Sequence, residues 1–187
     1  MNKDKLLDEI LQILRSVKDD ETKLRKILTF LKDEIYEEPE AEPIPDKYKE
    51  VVAKIAESID AGQVCYLNPD TLEMEDIYKE FLVDPEEYEA MTGETYESLE
   101  LKHEEWDKCC TFEPPESRIS FRIMEEFAEN MPDRKFQNQL INALNRRKPF
   151  ANFKFLIDNS DYRQNWFDFK KQWLQEYVWE LLQMELE

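Results

Sequence analysis

The side chains of this chain that could do chemistry are few, and their spacing does not suit it. The single histidine, His103, closes the one Glu-x-x-His run, Glu100-Leu101-Lys102-His103. Di-iron helical bundles need two such runs, so that each metal receives a histidine together with carboxylates from facing helices. His103-Glu104 also begins like a zinc-protease motif, but no second histidine follows, and that chemistry needs two on one helix face. The expectation is a surface histidine on an acidic helix. The three thiols, Cys65, Cys109 and Cys110, form no C-x-x-C pair, and adjacent cysteines rarely aim both sulfurs at one ion. Nothing in the spacing fixes a nucleophilic pair of His103 with Cys109 or Cys110. A cysteine in a strand is more often a small buried apolar side chain.

Carboxylates such as Glu73 with Glu75, or Glu86 with Glu87, crowd residues 73–107 so densely that none stands out. General acid–base work needs one carboxyl in a dry cleft. The run reads as a solvated face and lacks the Asp-x-Asp-x-Asp-Gly spacing of a calcium loop. The only glycines are Gly62 and Gly93. Phosphate-cradling loops need several, because the backbone must approach the phosphates without β-carbons in the way. A P-loop, a dinucleotide fingerprint, a kinase-type loop and a G-x-S-x-G elbow are all excluded. No catalytic residue, metal ligand or cofactor is expected.

The most distinctive feature is a basic block. No acidic residue occurs from Arg134 to Ile157, a stretch that holds Arg134, Lys135, Arg146, Arg147, Lys148 and Lys154 with Phe136, Phe150, Phe153 and Phe155 interleaved. Basic groups beside aromatics can hold phosphate and stack bases. Equally, such a block can pair with acids of the same chain or of a partner protein, and phenylalanines at helical spacing usually form core. Arg146, Arg147 and Lys148 are expected as an exposed corner, because three adjacent cations cannot all be buried at acceptable desolvation cost. Pro149 also disfavours helical geometry at Lys148.

The charge around this block is uneven. The net charge is −19, all of it held by residues 37–116, which carry 25 acidic and 6 basic side chains. Residues 1–36 balance 8 of each and residues 117–187 balance 11 of each. A strongly negative chain opposes nucleic acid at long range.

The elements that must position these groups follow from periodicity. Leu6, Leu7, Ile10, Leu11, Leu14 and Val17, then Leu24, Ile27, Leu28, Leu31 and Ile35, recur at helical spacing around a short polar Lys18-Asp19-Asp20. They predict an N-terminal helical hairpin over residues 1–36, with Asp19 or Asp20 as the second helix's N-cap. Its apolar stripes need the rest of the protein or another chain, so a homo-oligomer through this hairpin is one expectation. Residues 37–45, with three prolines and four acids, read as an extended linker. Residues 46–187 form the remaining domain. There, a helix over 46–61 ends at Gly62, strands lie near 64–68, 72–77 and 109–112, and Asn68-Pro69-Asp70-Thr71 is a turn. Helices follow over 117–130, 133–145, from Pro149, and over 161–184. The last carries the aromatic stripe Trp166, Phe169, Trp173 and Tyr177, read as core, with a hydrophobic-ligand groove as the alternative. The fold class is α+β, mainly helical, with a small antiparallel sheet packed against the C-terminal helices.

Four runs, in order, carry a family resemblance. They are Val64-Cys65-Tyr66-Leu67-Asn68-Pro69-Asp70-Thr71, Arg122-Ile123-Met124-Glu125-Glu126-Phe127, Pro149-Phe150-Ala151-Asn152-Phe153-Lys154 and Trp166-Phe167-Asp168-Phe169. Over about residues 46–182 the chain resembles a bacterial uncharacterised protein family of the UPF0158 type. The resemblance implies a bacterial, cytoplasmic origin and one contiguous core, and it implies no activity, substrate or cofactor. It also leads one to expect a glycine near Pro149, where this chain has Asn145-Arg146-Arg147-Lys148.

No secretory leader is expected, since Asp4, Asp8 and Glu9 interrupt the N-terminal apolar positions. No apolar run is long enough to span a membrane. Three thiols with one adjacent pair make a poor disulfide framework and suit the cytoplasm. The leading functional expectation is a non-catalytic protein-interaction or regulatory protein with an unidentified protein partner. The alternatives are a nucleic-acid or phosphate binder acting through residues 134–154, and an enzyme of unrecognised type.

Overall fold

The computed structural model describes residues 3–35, 43–93, 95, 98 and 101–186. The chain divides into two compact units, Met1–Glu42 and Pro43–Glu187. Residues 37–42 of the expected linker and Glu100 of the Glu-x-x-His run lie outside the described residues.

The first unit contains α1 (Lys3–Ser16) and α2 (Glu21–Glu34). Of the two candidate caps it is Asp20 that serves, its carboxylate accepting from the Lys23 backbone N–H at 3.0 Å. This satisfies one of the amide donors left open by the first helical turn. Leu14, Val17, Leu24 and Ile27 are half-buried, and no described residue of either helix is buried.

In the second unit α3 (Asp46–Asp60) runs to Gly62, whose φ of 88° turns the chain into β1 (Gln63–Leu67). β2 (Met74–Tyr78) and β3 (Cys110–Phe112) flank β1 in the order β2-β1-β3, both antiparallel. Asn68 builds the first turn, its side-chain oxygen accepting from the Asp70 and Thr71 backbone N–H groups at 3.0 and 3.1 Å. The return strand starts two residues later than its alternation suggests. Leu72 takes a left-handed φ of 62° while its side chain packs against the core. Core packing thus overrides the local backbone preference.

Between β2 and β3 lie α4 (Lys79–Val83), α5 (Pro85–Thr92) and a 3-10 turn, His103–Glu105. After β3 come α6 (Ser117–Glu129), α7 (Arg134–Leu144), α8 (Pro149–Asp158) and α9 (Arg163–Leu186).

Two apolar clusters hold this unit together. One joins Val52, Ile55 and Ile59 of α3, the inward strand residues Cys65, Leu67, Cys110 and Phe112, and Leu174, Val178 and Leu182 of α9. The other joins α6, α7 and α8 through Met124, Phe127, Leu140, Leu144, Phe153 and Ile157. Trp166 and Phe169 pack against both, which makes α9 the shared spine. The aromatic stripe of α9 is therefore partly core: Trp166, Phe169 and Trp173 border the clusters, while Leu174, Val178, Trp179 and Leu182 are the buried positions. No described helix is long and apolar enough to cross a membrane.

Candidate functional site

α7 and α8 are joined by the four residues Asn145–Lys148. Asp133 caps α7, its carboxylate accepting from the Lys135 and Phe136 backbone N–H groups at 2.9 and 3.2 Å. At the other end the Asn145 side chain donates to the Ile141 carbonyl at 2.9 Å. Lys148 has φ 63° and ψ 54°, the left-handed region, and Pro149 opens α8 at its first position. A proline there is favourable because the missing N–H would have had no helical partner. The Asn152 side chain reaches back to the Arg147 carbonyl at 3.0 Å. The Asn145 and Asn152 side chains thus hydrogen-bond backbone carbonyls of α7 and of the turn itself.

The two helices enclose a groove of about 620 Å³. Ala143 and Leu156 form its floor, and Gln139, Asn142, Arg146, Arg147, Asn152 and Phe155 rise around it. No lining residue is acidic. Arg146, Arg147 and Lys148 are all exposed, and none has an ion-pair partner among the described residues. Phe155 is 67% exposed, which is unusual for a phenylalanine on a helix that supplies core residues on its other side. The groove thus offers two guanidinium forks, three amides and one apolar face, with no internal neutralisation.

The structure splits the six candidate cations. Arg146 and Arg147 share the groove, with Lys148 next to them in the turn. Arg134 and Lys135 are exposed at the opposite end of α7, roughly 15 Å along an eleven-residue helix at 1.5 Å per residue. Lys154 lies on another side of α8, at a cavity of about 650 Å³ walled by Phe150, Phe153, Trp166 and Phe167. Two other cations at that cavity are already paired, Lys170 with Asp60 and Arg163 with Asp158. Among the described residues no cation of the block pairs with an acid of the middle segment. Some of those acids are met instead from α9, where Lys171 pairs with Glu57 at 2.7 Å and Lys170 with Asp60, and others by lysines of the middle segment, such as Lys79 with Glu113 and Lys108 with Asp70.

A second constellation was hidden among the abundant carboxylates. On the outer face of the sheet Glu75 stands opposite Tyr66. Its carboxylate accepts from the Lys102 backbone N–H at 2.8 Å, the His103 backbone N–H at 2.9 Å and the His103 ring Nδ1 at 3.0 Å. The His103 ring stacks flat on Tyr66, centroids 3.8 Å apart and planes 4° from parallel. His103 is therefore not a surface histidine on a helix. Its side chain is 11% exposed, and the residue opens a 3-10 turn pinned to the sheet. Burial pushes the Glu75 carboxyl up, but the three donated hydrogen bonds outweigh it and hold the group below the usual carboxylate range. An ionised Glu75 requires the proton on Nδ1 of His103.

This Glu–His pair orients an imidazole, as a general base would be oriented, but no nucleophile joins it among the described contacts. The Cys109 thiol contacts the Cys110 carbonyl oxygen instead. The adjacent cysteines face opposite ways, Cys109 exposed and Cys110 buried. Burial raises both thiols, and it pushes Cys65 up to about 12. Among the described residues no group of three His, Cys, Asp or Glu is placed to hold a metal ion.

A family model matches residues 48–186. The chain belongs to the uncharacterised protein family UPF0158. The UPF0158 region begins inside α3 and ends with α9, so it includes the groove and the Glu75–His103 pair and leaves out α1 and α2. No curated protein and no solved structure matches the chain. The resemblance leads one to expect a glycine near Pro149, and Lys148, just before it, has the left-handed backbone that glycine tolerates without strain.

Proposed function

We propose that this chain is a non-catalytic interaction protein that holds an acidic segment of a partner protein in the α7–α8 groove. The observation that supports the reading is a pair of exposed arginines, without ion-pair partners among the described residues, in an acid-free groove of a chain whose net charge is −19. Paired guanidinium forks suit carboxylates, which they grip bidentately. Phe155 and Leu156 add apolar contact, so a segment with an apolar residue beside its acids fits best. The cations at the groove are few, and Arg134 with Lys135 is too far away to extend them. A short acidic stretch matches that count better than a nucleic acid, which needs many neutralised phosphates to bind at physiological salt. Cytoplasmic residence fits three cysteines that form no disulfide.

A second reading, single-stranded nucleic acid, is favoured by the exposed Phe155 ring beside Arg146 and Arg147, which could stack a base. Fluorescence anisotropy separates the two. A labelled Glu/Asp-rich peptide should bind the full chain and lose at least tenfold in affinity in Arg146→Glu/Arg147→Glu. Arg134→Glu/Lys135→Glu should bind as the parent does. Binding of labelled oligothymidine in place of the peptide would transfer the site to the second reading. Binding of neither would end both.

A further inference from the structure

We infer that α1 and α2 form the interface of a homodimer, with the hairpins of two copies of this chain packed as a four-helix bundle. The unit has the form of a folding element that is missing its other half. Two helices of 14 residues each are at the length where isolated helices are marginal in water. Tertiary burial must therefore supply their stability, yet no described residue of either helix is buried. Leu6, Leu7, Ile10, Leu11 and Ile13 on α1, with Leu28, Phe30, Leu31 and Ile35 on and just after α2, are between 37% and 64% exposed. They make up nine of the eighteen large apolar side chains exposed among the described residues, although the hairpin is a small part of the chain. At 100° per residue the apolar positions of α1, from Ile13 round to Leu11, cover an arc of roughly 160°, wider than the single stripe one neighbouring helix can cover.

Charge and area identify the occupant as a second copy. Residues 1–36 balance 8 acids with 8 bases, whereas the remainder of the chain carries the whole −19. Two hairpins meet without net repulsion, while two copies of the rest of the chain would repel each other. Nine side chains at about half exposure present roughly 800 Å², the per-partner area of a stable protein interface. Two antiparallel helix pairs related by a twofold axis bury the same stripe on each copy, an isologous contact that closes on itself. The groove and the Glu75–His103 pair belong to the other unit, and a dimer would carry two copies of each.

Sedimentation equilibrium on the full chain tests the assignment. The parent should sediment at twice its 22.7 kDa. Ile10→Glu/Leu31→Glu places two charges in the seam and should raise the dissociation constant at least tenfold. Gln12→Glu adds the same charge on the opposite face of α1 and should leave the dimer intact. Loss of hairpin helicity in the double variant, read by circular dichroism as it becomes monomeric, would agree with folding coupled to assembly. A monomeric parent at every concentration, or a double variant that dimerises as the parent does, would overturn the assignment.

Discussion

Lys148 is a lysine in a conformation made for glycine, and replacing it should stabilise the protein. At φ 63° and ψ 54° its β-carbon crowds the following carbonyl, which costs an L-residue roughly 1–2 kcal/mol. Glycine removes that strain but loses more backbone freedom on folding, a penalty of roughly 0.5–1 kcal/mol. The lysine side chain is exposed and has no ion-pair partner among the described residues, so removing it sacrifices no contact. Lys148→Gly should therefore gain about 0.5–1 kcal/mol, which for a chain of this size is a rise in Tm of roughly 1–4 °C. Lys148→Ala keeps the β-carbon and should stay within about 0.5 kcal/mol of the parent. Lys148→Asn should fall between the two, because asparagine visits this region more readily than other β-carbon-bearing residues. Urea denaturation followed by far-ultraviolet circular dichroism measures all three. If Lys148→Gly is no more stable than Lys148→Ala, the strain argument fails.

Glu75→Gln should destabilise the fold by about 1–3 kcal/mol, because an amide oxygen cannot replace a carboxylate that accepts from three donors; the urea midpoint reports it. The Glu75 carboxyl is held low in the folded state. Its contribution is therefore complete above the unfolded pKa and is lost as pH falls through the folded value, so the gap between parent and Glu75→Gln should close on acidification. His103→Ala should also lower stability, since it removes the stacked ring from Tyr66 and one donor from Glu75; an unchanged urea midpoint would count against a structural role. A thiol reagent should modify Cys109 in the folded protein, faster as pH rises because burial raises that thiol, while Cys65 and Cys110 wait for unfolding; prompt reaction of all three would contradict their burial.

Much of the fold was legible because it rests on local signals. Helical periodicity, the Asp20 and Asp133 caps, Gly62 and Pro149 mark element ends whose chemistry is complete within a few residues. The exposed corner at Arg146–Lys148 followed from the desolvation cost of three adjacent cations. What stayed hidden depends on residues distant in the chain. Glu75 looks like every other carboxylate of residues 73–107, and only the sheet register and the return of residues 102–103 make it an acceptor for three donors. The readable trace of that site was weak: Tyr66 alternates outward on β1, and the single histidine follows in the segment that crosses back over the sheet. The β2 start was misplaced for a related reason, because Leu72 gives up strand geometry to pack into a core assembled from α3 and α9.

The separation of charge has a structural cause that sequence totals conceal. Residues 117–187 are neutral as a sum, but their cations do two different things. Lys170 and Lys171 lie on α9, which packs along α3, and they meet Asp60 and Glu57 there. Such half-exposed pairs contribute little energy each, about 0–1 kcal/mol, but they fix which acids of the middle segment are neutralised. Arg146 and Arg147 sit on the turn between α7 and α8, elements that pack against α6 and one another. Hydrogen bonds from the Asn145 and Asn152 side chains to backbone carbonyls flank the turn. Their field is left open in a molecule that otherwise repels anions. On the proposed reading, an acidic partner segment would have to find a small region of favourable potential on an unfavourable surface. If that reading holds, the arrangement would favour short, well-placed negative charge over long polyanions.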